Sequence, residues 1–135
     1  MSRTDILETL RRHGVSPTAQ RIEVAEVLLG RPQHLSADQI LDKLKVAGSR
    51  VSKATVYNSL NLFSEKGLVR EINVDPTRKF YDSTTHAHHH FYHVDTGELV
   101  DIDNDRVSIP DLPSLPPGTE KESVEVLIRI RNKQR

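Results

Sequence analysis

The chain has 135 residues and no cysteine. That excludes disulfides and any zinc site built on thiolates, and it leaves a bound metal to nitrogen and oxygen donors. It also fits a reducing, cytoplasmic compartment. No apolar run approaches the roughly 18 residues that cross a bilayer. The N-terminal stretch lacks the apolar core of a leader peptide, so neither secretion nor a membrane partner is expected. Net charge is missing as well, because 19 Lys and Arg balance 19 Asp and Glu. That balance hides an asymmetry: residues 1–82 carry 13 basic against 10 acidic side chains, and residues 83–135 carry 6 against 9. A mildly basic first part joined to an acidic second part suggests two jobs. With 36% hydrophobic and 28% charged residues, the chain suits one soluble domain or two small ones.

What is plentiful is histidine, in one place. Five of the seven histidines fall within residues 86–93, as His86, His88, His89, His90 and His93. Imidazole titrates near neutral pH and is the commonest protein metal ligand, so this stretch reads as the sensing part. The cluster is internal and patterned, unlike a terminal tag. His13 stands apart at a helix end, where partial positive charge suits the helix dipole.

Before the cluster, the periodicity predicts four helices. The first spans 4–13, with Ile6, Leu7 and Leu10 on one side and Gly14 as its stop. Pro17 and Thr18 open the second, whose apolar stripe is Ile22, Ala25, Leu28 and Leu29. Ser36 and Gln39 form a capping box for the third, which carries Ile40, Leu41 and Leu44. His34 falls in the loop before it. Ser52 caps a fourth helix ending near Lys66. Its Val56, Leu60 and Phe63 form a narrow apolar sector, while Ala54, Tyr57, Asn58 and Asn61 face the other way. Residues 68–74 and 78–81 then read as two strands joined at Asp75-Pro76.

Helices followed by a hairpin with Arg78 and Lys79 near its tip form a winged-helix pattern. Amide and aromatic groups on the fourth helix suit a DNA major groove, and basic residues on the wing suit phosphates. Ser52, Lys53, Thr55, Tyr57, Asn58, Arg78 and Lys79 are the candidate DNA-binding residues. The bland alternative for the helix alone is a solvated polar face.

After residue 82 the reading is a hairpin, 89–94 and 98–102 around Asp95-Thr96-Gly97. A proline-bearing extended stretch follows over 103–119, with Pro110, Pro113, Pro116 and Pro117. Ile109, Leu112 and Leu115 are available there to pack on a sheet. A last strand covers 123–130. About three strands cannot cover their own edge and apolar face, so pairing with a second copy is expected.

Alternate side chains of a strand point the same way. His88 and His90 therefore share a face with His86, while His89 and His93 share the other with Phe91. Two imidazoles are too few for a first-row metal. Asp82, Asp101 and His34 can supply the rest, giving three imidazoles and two carboxylates, a shell suited to Fe²⁺ or Mn²⁺ that would also take Zn²⁺. Filling it would tie the first part of the chain to the second. His86, His89 and His93 remain candidates for a second metal or for haem.

Ser36-Ala37-Asp38-Gln39-Ile40 after His34, Lys53-Ala54-Thr55-Val56-Tyr57-Asn58-Ser59-Leu60, and His88-His89-His90 followed by Gly97 and Asp101 together resemble the ferric uptake regulator family over nearly the whole chain. The His-His-His form and the Ile109-to-Gly118 segment are most similar to its iron response regulator branch, which includes haem-responsive members; the peroxide-sensing branch comes second. The resemblance implies an α+β protein: a winged-helix DNA-binding domain over 1–82, then a small α/β dimerisation and metal-sensing domain over 83–135. It implies a homodimeric, non-enzymatic regulator on palindromic, AT-rich operator DNA, with Tyr57 and Asn58 in the major groove. The family's regulatory metal site falls on His34, Asp82, His88, His90 and Asp101. In the peroxide-sensing branch, bound Fe²⁺ reacts with peroxide and a ligand histidine is oxidised. His93 and Thr96 stand where the family has its first Cys pair and the second pair has no counterpart, so no structural four-cysteine zinc is expected. A further family site would fall on Ala87, His89 and Ser108. The cysteine-containing haem motif is absent, which leaves haem only the histidine cluster. Two alternatives accompany the regulator reading: a haem-responsive regulator, and a small non-haem iron or manganese enzyme with two His and a carboxylate.

Overall fold

The structure is a computed structural model and describes residues 1–85 and 88–134. His86 therefore lies outside the described residues. The chain divides into two compact units, Met1–Thr85 and His86–Arg135. Thr84 and Ser83 belong with the first because they bond back into it: Thr84 N–H donates to Asp82 Oδ1 at 2.8 Å, and Ser83 N–H donates to the Gln33 carbonyl at 3.0 Å.

The first unit holds α1 (Arg3–Arg12), α2 (Ala19–Leu29), α3 (Ala37–Val46) and α4 (Lys53–Glu65). Each starts on a hydroxyl cap, Ser2, Thr18, Ser36 and Ser52 respectively, whose oxygen accepts an amide that the helix leaves without a partner. Such a cap contributes about 1 kcal/mol. Ser2 with Asp5 and Ser36 with Gln39 complete capping boxes. The expected apolar stripes meet in one core, including Ile6, Leu10, Ala25, Leu28, Ile40, Leu44, Val56, Leu60 and Phe63. Burying each of the larger ones contributes about 1.5–3 kcal/mol.

Three strands complete this unit. They are β1 (His34–Ser36), β2 (Arg70–Asp75) and β3 (Arg78–Asp82), in the order β1-β3-β2 and all antiparallel. The expectation of His34 in a loop is thus corrected: it opens β1 opposite Asp82. Only three residues pair there, too few to leave a periodic pattern in the sequence. Helices packed on a sheet that ends in a β2–β3 hairpin agree with the expected α+β class. Tyr81 of β3 is 2% exposed and belongs to the helical core.

The second unit holds β4 (His89–His93), β5 (Leu99–Ile102) and β6 (Leu127–Ile130), in the order β5-β4-β6. β5 pairs with β4 antiparallel and β6 pairs with it parallel. Three expectations need correction. Among the described residues this unit has no α-helix, only a 3₁₀ turn over Asn104–Arg106, so it is a β unit and not α/β. The four prolines of 103–119 lack the amide that a helix needs. The last strand begins at Leu127 instead of residue 123. Ile109, Leu112 and Leu115 are 39%, 46% and 52% exposed and do not pack into the sheet. Among the described residues, no helix is long and apolar enough to cross a membrane.

Candidate metal centre and nucleic-acid face

His90 sits directly opposite Asp101 in the β4–β5 ladder. Cross-strand partners put their side chains on one face, and His88, two residues earlier, joins them. His88 Nε2 lies 3.0 Å and His90 Nε2 3.1 Å from the same atom, Asp101 Oδ1. The two imidazole rings are 4.3 Å apart between centroids and tilted by 50°. One donor atom from each of the three residues falls within 4.8 Å of the others. His88 and His90 are buried, while the Asp101 side chain is 58% exposed. Two nitrogens and a carboxylate oxygen converging from a sheet face form a fitting partial shell for a divalent first-row cation.

In the first unit the other two candidate ligands also face each other. His34 and Asp82 are register partners across β1 and β3. Asp82 is 1% exposed, and its Oδ1 accepts from the Thr84 amide. The His34 ring meets the edge of Phe80 at 6.2 Å, which limits how it can turn.

The remaining histidines are used differently. His89, pointing away from His88 and His90, accepts the Val126 N–H on Nδ1 at 2.8 Å. His93 accepts the Thr96 N–H on Nδ1 at 3.3 Å, and its Nε2 meets Asn132 Oδ1 at 3.0 Å. Asp95 adds a bond from the Asn132 N–H at 2.7 Å. These bonds fasten the chain on either side of β6, and no local pattern marks Val126, Asp95 or Asn132 for this role. His13 Nδ1 bonds the Thr9 carbonyl at 2.8 Å, in keeping with its reading as a helix end.

On α4, Val56, Leu60 and Phe63 are fully buried, whereas Ala54, Tyr57, Asn58 and Asn61 are exposed. Lys53 Nζ lies 3.4 Å from Asp38 Oδ1 and 5.9 Å above the Tyr57 ring. Both partners of that ion pair are exposed, so it contributes at most about 1 kcal/mol. Thr55 gives its amide to Ser52, whose hydroxyl also bonds the Thr55 side chain at 3.0 Å. On the β2–β3 hairpin, Arg78 is exposed and half-buried Lys79 pairs with Glu71 at 3.1 Å. The hairpin turn is fixed by Asp75, whose Oδ1 accepts from the Thr77 amide and hydroxyl, both at 2.9 Å. Those bonds hold the Asp75 carboxyl below the usual carboxylate range. Burial pushes the Tyr81 hydroxyl up to about 12, with Glu71 and Tyr57 adding to the effect.

A helical unit with a hairpin wing, followed by a sheet that gathers imidazoles and a carboxylate, is the build of a metal-responsive transcription regulator. The model of the ferric uptake regulator family matches residues 12–112, and the chain belongs to that family. It is 37% identical over 98 residues to the peroxide operon regulator of Bacillus subtilis, covering 73% of this chain and 68% of that protein. It is 33% identical over 98 residues to the peroxide-responsive repressor PerR of Staphylococcus saprophyticus, covering 73% and 66%. The chain thus spans about two thirds of the length of the curated relatives it matches. Among solved structures, the ferric uptake regulator from Pseudomonas aeruginosa with manganese matches with a TM-score of 0.72 at 26% identity. That match covers 99% of this chain and 100% of that one.

Proposed function

We propose that this chain is a metal-dependent repressor that binds operator DNA as a homodimer and responds to iron, manganese or peroxide. The observation that carries the reading is the convergence of His88 and His90 on Asp101 Oδ1, at 3.0 and 3.1 Å, in a member of this family. The proposed donors are His34, Asp82, His88, His90 and Asp101. A bound Fe²⁺ or Mn²⁺ supplies a divalent charge that holds these side chains together and, for iron, a redox-active centre. The protein's own part is to present the buried His88 and His90 imidazoles beside the Asp101 carboxylate.

The DNA-reading part of the proposal rests on α4 and the wing. Tyr57 and Asn58 are exposed beside each other on a helix whose opposite face is anchored in the core. Asn suits an adenine edge, and an aromatic ring suits the thymine methyl. Ser52, Lys53, Thr55, Arg78 and Lys79 are proposed phosphate contacts. The names of the relatives favour peroxide as one signal. The iron response branch, placed first from the His88-His89-His90 run, becomes the second reading.

The test is elemental analysis of protein purified without chelator, with binding to an AT-rich palindromic duplex measured before and after metal removal. The expected result is bound iron or manganese, and duplex binding that is lost on removal and restored by Mn²⁺. Duplex binding that ignores metal would overturn the reading. Turnover of a substrate with no effect on DNA would favour a metal enzyme instead.

A further inference from the structure

Gln33 is a junction within the first unit. Its Nε2 donates to the carbonyls of Val27 at 2.7 Å and Leu28 at 3.1 Å. These belong to the last turn of α2, whose carbonyls have no partner within the helix and where no basic side chain stands in. The Gln33 N–H donates to Ser83 Oγ at 3.0 Å, and its carbonyl accepts the Ser83 N–H at 3.0 Å. The Ser83 hydroxyl also reaches the carbonyls of Arg31 and Gln33, each at 3.2 Å. One amide side chain thus joins the end of α2 to the start of β1, and one hydroxyl joins both to the end of β3.

The neighbours of these two residues give the junction its meaning. His34 follows Gln33, Asp82 precedes Ser83, and His34 and Asp82 face each other in register. At its other end α2 meets the DNA-reading helix: Thr18, Gln20 and Arg21 line a polar groove with Thr55, Asn58 and Ser59. A neutral amide and a hydroxyl are poor metal donors beside imidazole and carboxylate, so the role of Gln33 and Ser83 is geometric.

We propose that Gln33 and Ser83 are positioning residues that hold His34 opposite Asp82 and tie this pair to the C-terminal end of α2, so that metal binding there is transmitted to the helices bearing the DNA face. This rests on the assignment of His34 and Asp82 as metal donors. Coupling of this kind is reciprocal: the factor by which metal raises DNA affinity equals the factor by which DNA raises metal affinity.

The test uses the full chain, Mn²⁺, and a duplex selected by the parent protein from random sequences in the presence of Mn²⁺. In Gln33→Ala and Ser83→Ala, metal-free DNA affinity is expected to stay within about twofold of the parent. The gain on adding Mn²⁺ is expected to fall about fivefold or more, with the DNA-induced gain in Mn²⁺ affinity falling by the same factor. Ser83→Thr, which keeps the hydroxyl, is expected to restore both gains. Full gains in both alanine variants would overturn the proposal. So would equal losses of metal-free and metal-loaded DNA affinity, the mark of a merely structural role. His34→Ala and Asp82→Asn separate the two layers. If they leave Mn²⁺ affinity unchanged, the donor assignment fails and takes the junction with it. If they abolish Mn²⁺ binding while the junction variants keep their gains, only the junction fails.

Discussion

His90 and Asp101 are direct partners across the β4–β5 ladder, and their side chains meet at 3.1 Å. That register ties one carboxylate to two imidazoles, since His88 reaches the same oxygen. Replacing Asp101 with Ala removes the carboxylate that both rings approach. Mn²⁺ affinity is expected to drop by about 100-fold or more, at the upper end of what changes around a metal site cost, and His88→Ala is expected to match it. Isothermal titration with Mn²⁺ checks this, and unchanged affinity in both variants would remove these residues from the site.

Tyr57 and Asn58 stand on the face of α4 opposite its buried stripe, so truncating them should not disturb the core. Tyr57→Ala and Asn58→Ala are each expected to weaken binding to the selected duplex by about 1–3 kcal/mol. Mn²⁺ affinity should stay as in the parent. A mobility-shift titration beside a metal titration reads both; loss of metal binding in either variant would break the division of labour between the two parts.

The wing calls for a salt experiment. Each basic side chain that meets a phosphate adds about 0.9 to the slope of log affinity against log salt. Arg78→Gln should reduce that slope by about 1. Glu71 competes for Lys79 at 3.1 Å, so Glu71→Gln should strengthen DNA binding at low salt. An unchanged slope in Arg78→Gln would take this residue off the phosphates.

Tyr81 predicts an alkaline limit. Its hydroxyl is raised from 10.0 to about 12 by burial first, then by Glu71 and Tyr57. A raised value means that the folded state keeps its proton where the unfolded chain has lost it. This contribution to stability is therefore complete below about pH 10 and is lost as pH rises toward 12. Denaturation midpoints across this window should fall in the parent and fall less in Tyr81→Phe.

Asn132 and Asp95 fasten the C-terminal strand with side-chain bonds, where no thiolate is available. Asn132→Ala removes the side-chain bond to His93 and is expected to cost about 1 kcal/mol. Amide exchange at residues 127–130 should quicken, while a strong chelator should leave that exchange in the parent unchanged. Chelator-induced fraying of β6 would mean that a metal takes part in holding it.

Much of this arrangement could be read from residue order alone, and the exceptions have a common cause. The four helices were marked by 3.6-residue stripes, and the third and fourth also by the hydroxyl caps Ser36 and Ser52, signals that act within a few residues. The β2–β3 and β4–β5 hairpins were marked by Asp75-Pro76 and Asp95-Thr96-Gly97. His88, His90 and Asp101 could be grouped because alternation and a short turn fix their relation locally. The strand at His34 was missed because its partner lies at Asp82, far along the chain, and because Ser36 serves both as strand end and helix cap. The parallel pairing of β6 left no trace either, since direction is set by the crossing of 103–126 and not by the strand's own residues. The uses of His89 and His93 depend on Val126 and Asn132, 37 and 39 residues away.

The bond from the Val126 amide to His89 has a consequence for how the histidines would look to a spectroscopist. An Nδ1 that accepts a hydrogen bond carries a lone pair, so any ring proton on His89 sits on Nε2. In a nitrogen-resolved NMR spectrum His89 should therefore show a single tautomer, set by the end of the chain. Adding a diamagnetic divalent cation such as Zn²⁺ should shift the ring nitrogens of His88 and His90 on either side of it and leave that tautomer in place. Adjacent imidazoles on one strand would then separate into reporters of the ion and a reporter of the fold.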